Sequence, residues 1–324
     1  MVREKTMLLV SEMESANLVT HDLAFDAAKE ALIAACEEGT VTFPVVLGHG
    51  SSPQNRFSVK ASATSELAGL KVGSYWPGNR DNGLARHNSL ILLFDQNTGR
   101  IEVAMEAGTV NAYRTAAADA VAADLLARPN AETLAIFGAG HQARYECRAL
   151  ARVRSLRRVI IAARNNEQAE DMRTTLRQEG LNAEIASPQK ACEAADIIVT
   201  ATPSRTPLFE ADWVRPGTHI SSMGSDARGK QELPPALLAR SAMFCDLPEQ
   251  ARSVGEFQHA APGLDITALG DVLLGRRPGR ASADAITIFD SSGLSLQDLY
   301  IARHLLAKRG GDTHASRSPE RNTP

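Results

Sequence analysis

The chain has 324 residues, 44% of them hydrophobic, and 35 Lys and Arg against 38 Asp and Glu give a formal net charge of −3. That is enough apolar material for two domain cores, and the lack of a basic excess argues against a nucleic-acid partner. No uninterrupted apolar run approaches the roughly 20 residues that span a bilayer, and the opening Met1-Val-Arg-Glu-Lys-Thr lacks the apolar stretch of a secretory leader, so a cytoplasmic protein without membrane contact is expected.

In chain order, a helix-like segment over residues 22–36 comes first. Short strand-like runs follow at 41–47, 56–61, 70–74, 89–94 and 100–106, with hairpin punctuation such as Asp95-Gln-Asn-Thr-Gly99. Val110, Tyr113, Ala117, Val121 and Leu125 then fall at helical spacing in an alanine-rich stretch that Arg128-Pro129 terminates. This pattern predicts a separate α/β unit whose last helix leads into the next one.

The second unit opens on Thr133-Leu-Ala-Ile-Phe-Gly138-Ala-Gly140-His-Gln-Ala143, an apolar run that ends in a glycine fingerprint. Gly138 permits a tight turn off the strand, Gly140 lets the backbone approach a phosphate, and the small Ala143 lets the next helix pack closely. Free amides at that helix's N-terminus would face the anion. Strand-like runs at 158–163 and 196–202 alternate with helical stretches at 167–178 and 188–195, the βαβ pattern of a doubly wound parallel sheet of Rossmann type. At the end of the second strand a nicotinamide enzyme usually carries Asp or Glu for the ribose hydroxyls. Ala163-Arg164-Asn165 stands there instead, and a guanidinium suits a 2′-phosphate, so NADP(H) is favoured with NAD(H) as the alternative.

Further strands are expected at 218–223 and 285–290, and a last helix shows one apolar face through Leu299, Ala302, Leu305 and Leu306. These elements predict a substrate-binding and dimerisation domain over residues 1–118, joined by a return helix at 299–310. A dinucleotide-binding domain covers 119–298, and a polar, breaker-rich tail over 311–324 is expected to be disordered. The cysteines, Cys36, Cys147, Cys192 and Cys245, are far apart and lack metal-ligand spacing, so small core residues and no metal are expected.

Three cations of the first unit, Arg56, Lys71 and Arg114, sit among apolar or aromatic neighbours, where a charge is costly unless it is paired or binds an anion. Arg114 lies in the first turns of a helix, where the dipole disfavours a cation unless a carboxylate ligand is shared between the side chain and the helix amides. In the second unit, Asp226 follows the strand at 218–223. An acid just past the carboxyl end of a parallel strand lies where open α/β sheets bind ligands, which makes Asp226 a candidate general acid/base.

Read together, these residues identify a resemblance to the ornithine cyclodeaminase and mu-crystallin family. It is carried by Leu70-Lys71-Val-Gly-Ser-Tyr-Trp-Pro-Gly78-Asn79, Asn111-Ala-Tyr-Arg114-Thr115, Gly138-Ala139-Gly140-His141-Gln142, Met223-Gly224-Ser-Asp226 with Gly229-Lys230-Gln-Glu232, and Asp290-Ser-Ser292-Gly293-Leu-Ser-Leu-Gln-Asp298. Within the family, the Tyr-Trp-Pro-Gly-Asn stretch and Gly255-Glu-Phe-Gln-His259 look most like the iminosuccinate reductases. The resemblance implies a substrate carboxylate held by Arg56, Lys71 and Arg114, acid/base work by Asp226 with Lys71, and a homodimer formed through the first domain. It also implies cofactor contacts from Thr115, Gly138, Ala139, Gly140, His141, Gln142, Arg164, Asn165, Thr202, Met223, Gly224 and Ser292.

Family members exchange hydride between a nicotinamide and a carbon bearing nitrogen and a carboxylate. Three cations against Asp226 suit a substrate with more than one carboxylate, whereas ornithine brings its own second cation. The expected activity is therefore imine reduction to a small L-amino acid, with iminosuccinate to L-aspartate as the leading case and Arg80, Arg86 or His87 as candidates for the second carboxylate. Ornithine cyclodeamination, cyclic ketimine reduction, alanine dehydrogenation and non-catalytic cofactor binding are the alternatives.

Overall fold

The computed structural model describes residues 6–315. The chain divides into two compact units. One comprises the residues up to Ala31, Gly39–Arg114 and the residues from Ser295 onward; the other comprises Leu32–Glu38 and Thr115–Leu294.

In the first unit the elements are β1 (Leu8–Val10), α1 (Glu12–Leu18), α2 (His21–Ala34), β2 (Val41–Thr42), β3 (Val46–His49), β4 (Arg56–Ala63), β5 (Ala68–Tyr75), β6 (His87–Phe94), β7 (Ile101–Glu106) and the start of α3 (Gly108–Leu126). The sheet runs β1-β7-β6-β5-β4-β2, with β3 also on β4. Its pairs are antiparallel except β1 with β7. Alternation sorts the strands into two faces. Ser62, Lys71, Ile91 and Leu93 lie buried on one face, which the C-terminal helix Ser295–Ala315 covers. Ser62 and Ser295 share a hydroxyl hydrogen bond there. Gly69 is required beneath that helix, because a Cβ would lie 2.3 Å from the Leu92 carbonyl oxygen and 2.8 Å from a Leu299 methyl.

Several boundaries differ from the sequence pattern. The run at 41–47 is two strands, broken at Pro44, which has no amide proton for a ladder. β1 and α1 go unannounced because a three-residue edge strand and a seven-residue helix are too short to display a period. The C-terminal helix starts ahead of its apolar face and continues through residues 311–315, where a disordered tail is expected from 311. The remainder of that expected tail, 316–324, lies outside the described residues.

The second unit contains β8 (Thr133–Phe137), α4 (His141–Val153), β9 (Arg158–Ala162), α5 (Asn166–Gln178), β10 (Ala183–Ile185), α6 (Pro188–Ala194), β11 (Ile197–Thr200), β12 (His219–Ser222), α7 (Pro235–Leu238), β13 (Ala242–Cys245), α8 (Pro248–Val254), β14 (Ile266–Ala268), α9 (Leu269–Leu273) and β15 (Thr287–Asp290). All its strands pair in parallel, in the order β10-β9-β8-β11-β12-β15-β13-β14. This is the expected doubly wound sheet, with its chain order reversing between β8 and β11. β11 and β15 are buried along their whole length and β8 in all but its first residue, as in a parallel sheet covered on both faces. Cys147, Cys192 and Cys245 are buried in this unit, Cys36 is half-buried, and all four are free thiols. Among the described residues, no helix is long and apolar enough to cross a membrane.

Candidate active site

The cofactor half is assembled at the reversal between β8 and β11. Gly138 leaves β8 with φ +113°, a backbone geometry that favours glycine. A Cβ there would also lie 2.9 Å from the Ala201 carbonyl oxygen beyond β11. Gly140 is the exposed N-cap of α4, makes no side-chain cap, and an added Cβ would meet nothing within 4 Å. The open space in front of these amides is what a phosphate needs for close approach, and fully buried Ala143 seats the helix against the sheet. The cradle therefore fits a dinucleotide pyrophosphate. Ala139 is buried and His141 exposed, and the His141 ring lies 4.9 Å from that of Tyr145. Gln142 turns back to donate a 2.7 Å hydrogen bond to Glu146.

Past β9, Arg164 and Asn165 are both exposed. The Asn165 side chain caps α5 by accepting from the Gln168 amide at 2.9 Å, which leaves Arg164 as the charged group at this strand end. Other predicted cofactor residues are engaged within the fold. The Thr202 amide and hydroxyl each donate to Glu232 at 2.7 Å, and the Ser292 hydroxyl reaches Asp246 at 3.2 Å and accepts from Gln250 at 2.8 Å. Met223 is buried, and Thr115 is half-buried on α3.

Glu232 is the residue that ties this wall together. Its buried carboxylate also accepts from the Thr200 hydroxyl at 2.8 Å and the Gly224 amide at 2.9 Å, joining the ends of β11 and β12. Burial pushes its carboxyl pKa up, against these donors. Gly224 has no room for a side chain, since a Cβ would lie 2.2 Å from the Thr202 carbonyl oxygen. Gly224→Ala is expected to destabilise the protein by about 1–3 kcal/mol through overpacking. An unchanged melting temperature would contradict that packing.

Asp226 stands exposed in the loop after β12 and pairs with Lys230, whose ammonium also donates to the Gly224 carbonyl at 3.0 Å.

In the first unit, β5, α3 and the C-terminal helix bring two of the three predicted cations together. Lys71 is buried, donates to the Asn111 side-chain oxygen, and lies 3.3 Å from Asp298 Oδ1. Arg114, also buried, places Nε 3.2 Å from the same Asp298 oxygen, donates to Asn111 at 2.7 Å through Nη2, and reaches Gln297 Oε1 at 3.1 Å. Burial first, then the neighbouring charges of Arg114 and Lys60, lower the Lys71 pKa to about 7 against the opposing pull of Asp298. Lys60 is the cross-strand neighbour of Lys71.

Arg114 is held otherwise than its place in the helix suggests. The first amides of its helix are taken by Glu12, which accepts from Gly108 and Thr109 at 2.7 Å each, and the guanidinium is balanced by Asp298. No ligand shared with the helix end is needed to hold it. Asn111 and Asp298 therefore position both cations, and Gln297 adds a third partner to Arg114. Asp298 appears in the sequence only as part of a motif, and its spacing alone does not announce a pairing that needs the C-terminal helix to return to the sheet.

Arg56 is set apart. It opens β4 on the same sheet face as Lys71 but pairs in register with Tyr75, whereas Lys60 pairs with Lys71. The intervening four residues correspond to roughly 14 Å of strand. Arg86 is exposed just before β6, and His87 is its first residue.

From residue 3 to residue 309 the sequence matches the ornithine cyclodeaminase/mu-crystallin family. The chain belongs to that family. Its iminosuccinate reductase relative from Paracoccus denitrificans is 39% identical over 315 residues, covering 94% of this chain and 98% of the relative. The crystal structure of the Paracoccus denitrificans iminosuccinate reductase in complex with NAD+ superposes with a TM-score of 0.87 at 37% identity, covering 95% and 97% of the two chains. An archaeal alanine dehydrogenase dimer with bound NAD gives a TM-score of 0.88 at 30% identity, with coverage of 95% and 97%. The ornithine cyclodeaminase of Agrobacterium fabrum is 32% identical over 253 residues, which is 77% of this chain and 72% of that protein. The family and fold expected from the motifs thus hold, and these relatives are enzymes of the expected kinds.

Proposed function

We propose that this family member is an NAD(P)H-dependent imine reductase that converts a 2-imino acid to a small L-amino acid, with iminosuccinate to L-aspartate as the leading reaction. The observation that carries this reading is the buried cluster in which Lys71 and Arg114 share the single carboxylate of Asp298. With Lys71 protonated the cluster of Lys71, Arg114 and Asp298 holds an excess positive charge that a substrate carboxylate would balance. Ornithine, with a second ammonium, suits this site less well than a diacid.

Arg114 is fixed by three side-chain partners and acts as the rigid carboxylate anchor. Lys71, with a pKa of about 7, binds the same carboxylate as its ammonium form and exchanges its proton near neutral pH. When bound, the nicotinamide supplies a hydride to the imine carbon. Asp226 is read as the group that keeps the imine nitrogen protonated, so that one hydride and one proton together give the amine. With oxaloacetate, excess ammonium and NADPH or NADH, cofactor oxidation by the purified protein is expected. No oxidation, alongside conversion of ornithine to proline, would contradict the reading.

The cofactor is read as NADPH in preference to NADH, because Arg164 is the charged side chain directly beyond β9 and no carboxylate occupies 163–165. Arg164→Ala should raise the KM for NADPH about tenfold, as expected for loss of a charged hydrogen bond, and should change that for NADH little. A wild-type preference for NADH would contradict this choice. A homodimer belongs to the same reading. The first sheet's other face leaves Val46 58%, Phe57 36% and Leu90 36% exposed, an apolar surface suited to a second copy. Sedimentation should report twice the chain mass.

A further inference from the structure

We infer that the cross-strand row Ser58–Gly73–Ser89, backed by Arg56 and His87, is the subsite for the second carboxylate of a four-carbon imino diacid. This inference rests on the imine-reductase reading above and names the substrate class of that same site.

Strand register supplies the first observation. On the face that carries Lys71, Ser58 pairs with Gly73 and Gly73 with Ser89, one row from Lys71. One row further on, Arg56 pairs with Tyr75 and Tyr75 with His87. Polar and cationic groups thus continue from Lys71 along a single face. The Tyr75 and His87 rings are in contact, with centroids 4.6 Å apart.

Gly73 supplies the second. It is not among the glycines with positive φ, so its backbone does not require glycine. A Cβ would not clash either: its nearest neighbours are Lys71 Cε at 3.5 Å, Ser58 Oγ at 3.6 Å and Ser89 Oγ at 3.8 Å. What glycine does here is leave bare backbone on a face where a lysine and two serine hydroxyls converge. Neither serine is exposed, and neither hydroxyl has a hydrogen-bond partner among the described residues.

The reach suits a diacid. Lys71 Cε lies 3.5 Å from where a Gly73 Cβ would stand, so the lysine stem leans toward that row, and the carboxyl carbons of a four-carbon diacid, three bonds of about 1.5 Å each, are at most about 4.5 Å apart. With one carboxylate on Lys71 and Arg114, the other falls over Gly73, where the serine hydroxyls donate and the Arg56 guanidinium reaches back from the next row. Of the loop residues expected to meet the second carboxylate, His87 is the one that register places on this face. A three-carbon imino acid would leave the row unused.

The test compares kcat/KM for two imines, formed from oxaloacetate or from pyruvate with excess ammonium, in the wild-type protein, Gly73→Ala and Ser58→Ala/Ser89→Ala. The wild type should prefer the diacid. Gly73→Ala, whose methyl fills the recess, should cut the diacid-to-monoacid ratio about 10- to 200-fold, through the KM for the diacid and with the cofactor KM unmoved. The double serine variant should lower the same ratio about tenfold, as expected for lost hydrogen bonds to a charged group. It decides the matter should Gly73→Ala not fold. A wild type that favours neither imine, or folded variants that keep the wild-type ratio, would overturn the subsite and leave the reductase reading standing. A wild type that reduces neither imine would instead remove the reductase reading itself.

Discussion

Replacing Lys71 by methionine is expected to lower kcat/KM for the imino acid by about 10²–10³-fold or more, while the melting temperature stays near that of the wild type. Methionine fills the space of the lysine stem, and Asp298 retains Arg114 at 3.2 Å, so no carboxylate is left buried and unpaired. The substrate would lose one of the two cations that meet it away from water, an interaction whose removal costs about 3–5 kcal/mol in buried pairs. Steady-state kinetics on the folded variant checks this, and a loss smaller than tenfold would show that Arg114 alone holds the carboxylate.

Asp226→Asn carries the second large effect. In the proposed role, in which Asp226 keeps the imine nitrogen protonated, its loss should lower kcat by roughly 10²–10⁴-fold. Cofactor affinity should stay nearly unchanged, because Lys230 keeps its 3.0 Å hydrogen bond to the Gly224 carbonyl and so holds the loop after β12. Nicotinamide fluorescence gives the affinity and turnover gives the chemistry. Equal activity in the variant would take Asp226 out of the mechanism.

Local sequence signals were legible where a single segment determines its own geometry. The fingerprint around Gly138 and Gly140 is one such case, because a strand, a tight turn and a helix N-terminus are all written within a dozen residues. The alternating strands β4 to β7 are another, although their ends moved by a residue or more, since the last ladder bonds depend on the neighbouring strand. β10 and β14 are three residues long, too short to display a period, and β13 also goes unannounced.

The site was half legible for the same reason. Lys71 and Arg114 stand out as cations among apolar neighbours, yet nothing local tells which carboxylate meets them. Asp298 reaches them from the C-terminal helix, and Glu12 caps α3 from 96 residues away. Arg56 stands two rows from Lys71 on the same face, in register with Tyr75, and pattern alone does not count rows. Glu232 is hidden most thoroughly, since an acid in a polar loop reads as solvated until the ends of β11 and β12 close around it.

Whether a buried cation pair with a titratable lysine grips an organic carboxylate is read from the competitive inhibition constant of succinate as a function of pH. Succinate has the two carboxylates and no reacting nitrogen, and it is ionised throughout the range above neutrality. Lys71 is protonated below about 7 and neutral above it. Its attraction for the anion is therefore complete on the acid side and lost as pH rises. The inhibition constant should climb by up to about tenfold per pH unit above that value, and Lys71→Met should remove the dependence. A constant that stays flat through this range in the wild type, or a failure of succinate to compete at all, would mean that Lys71 and Arg114 do not hold the substrate's carboxylate.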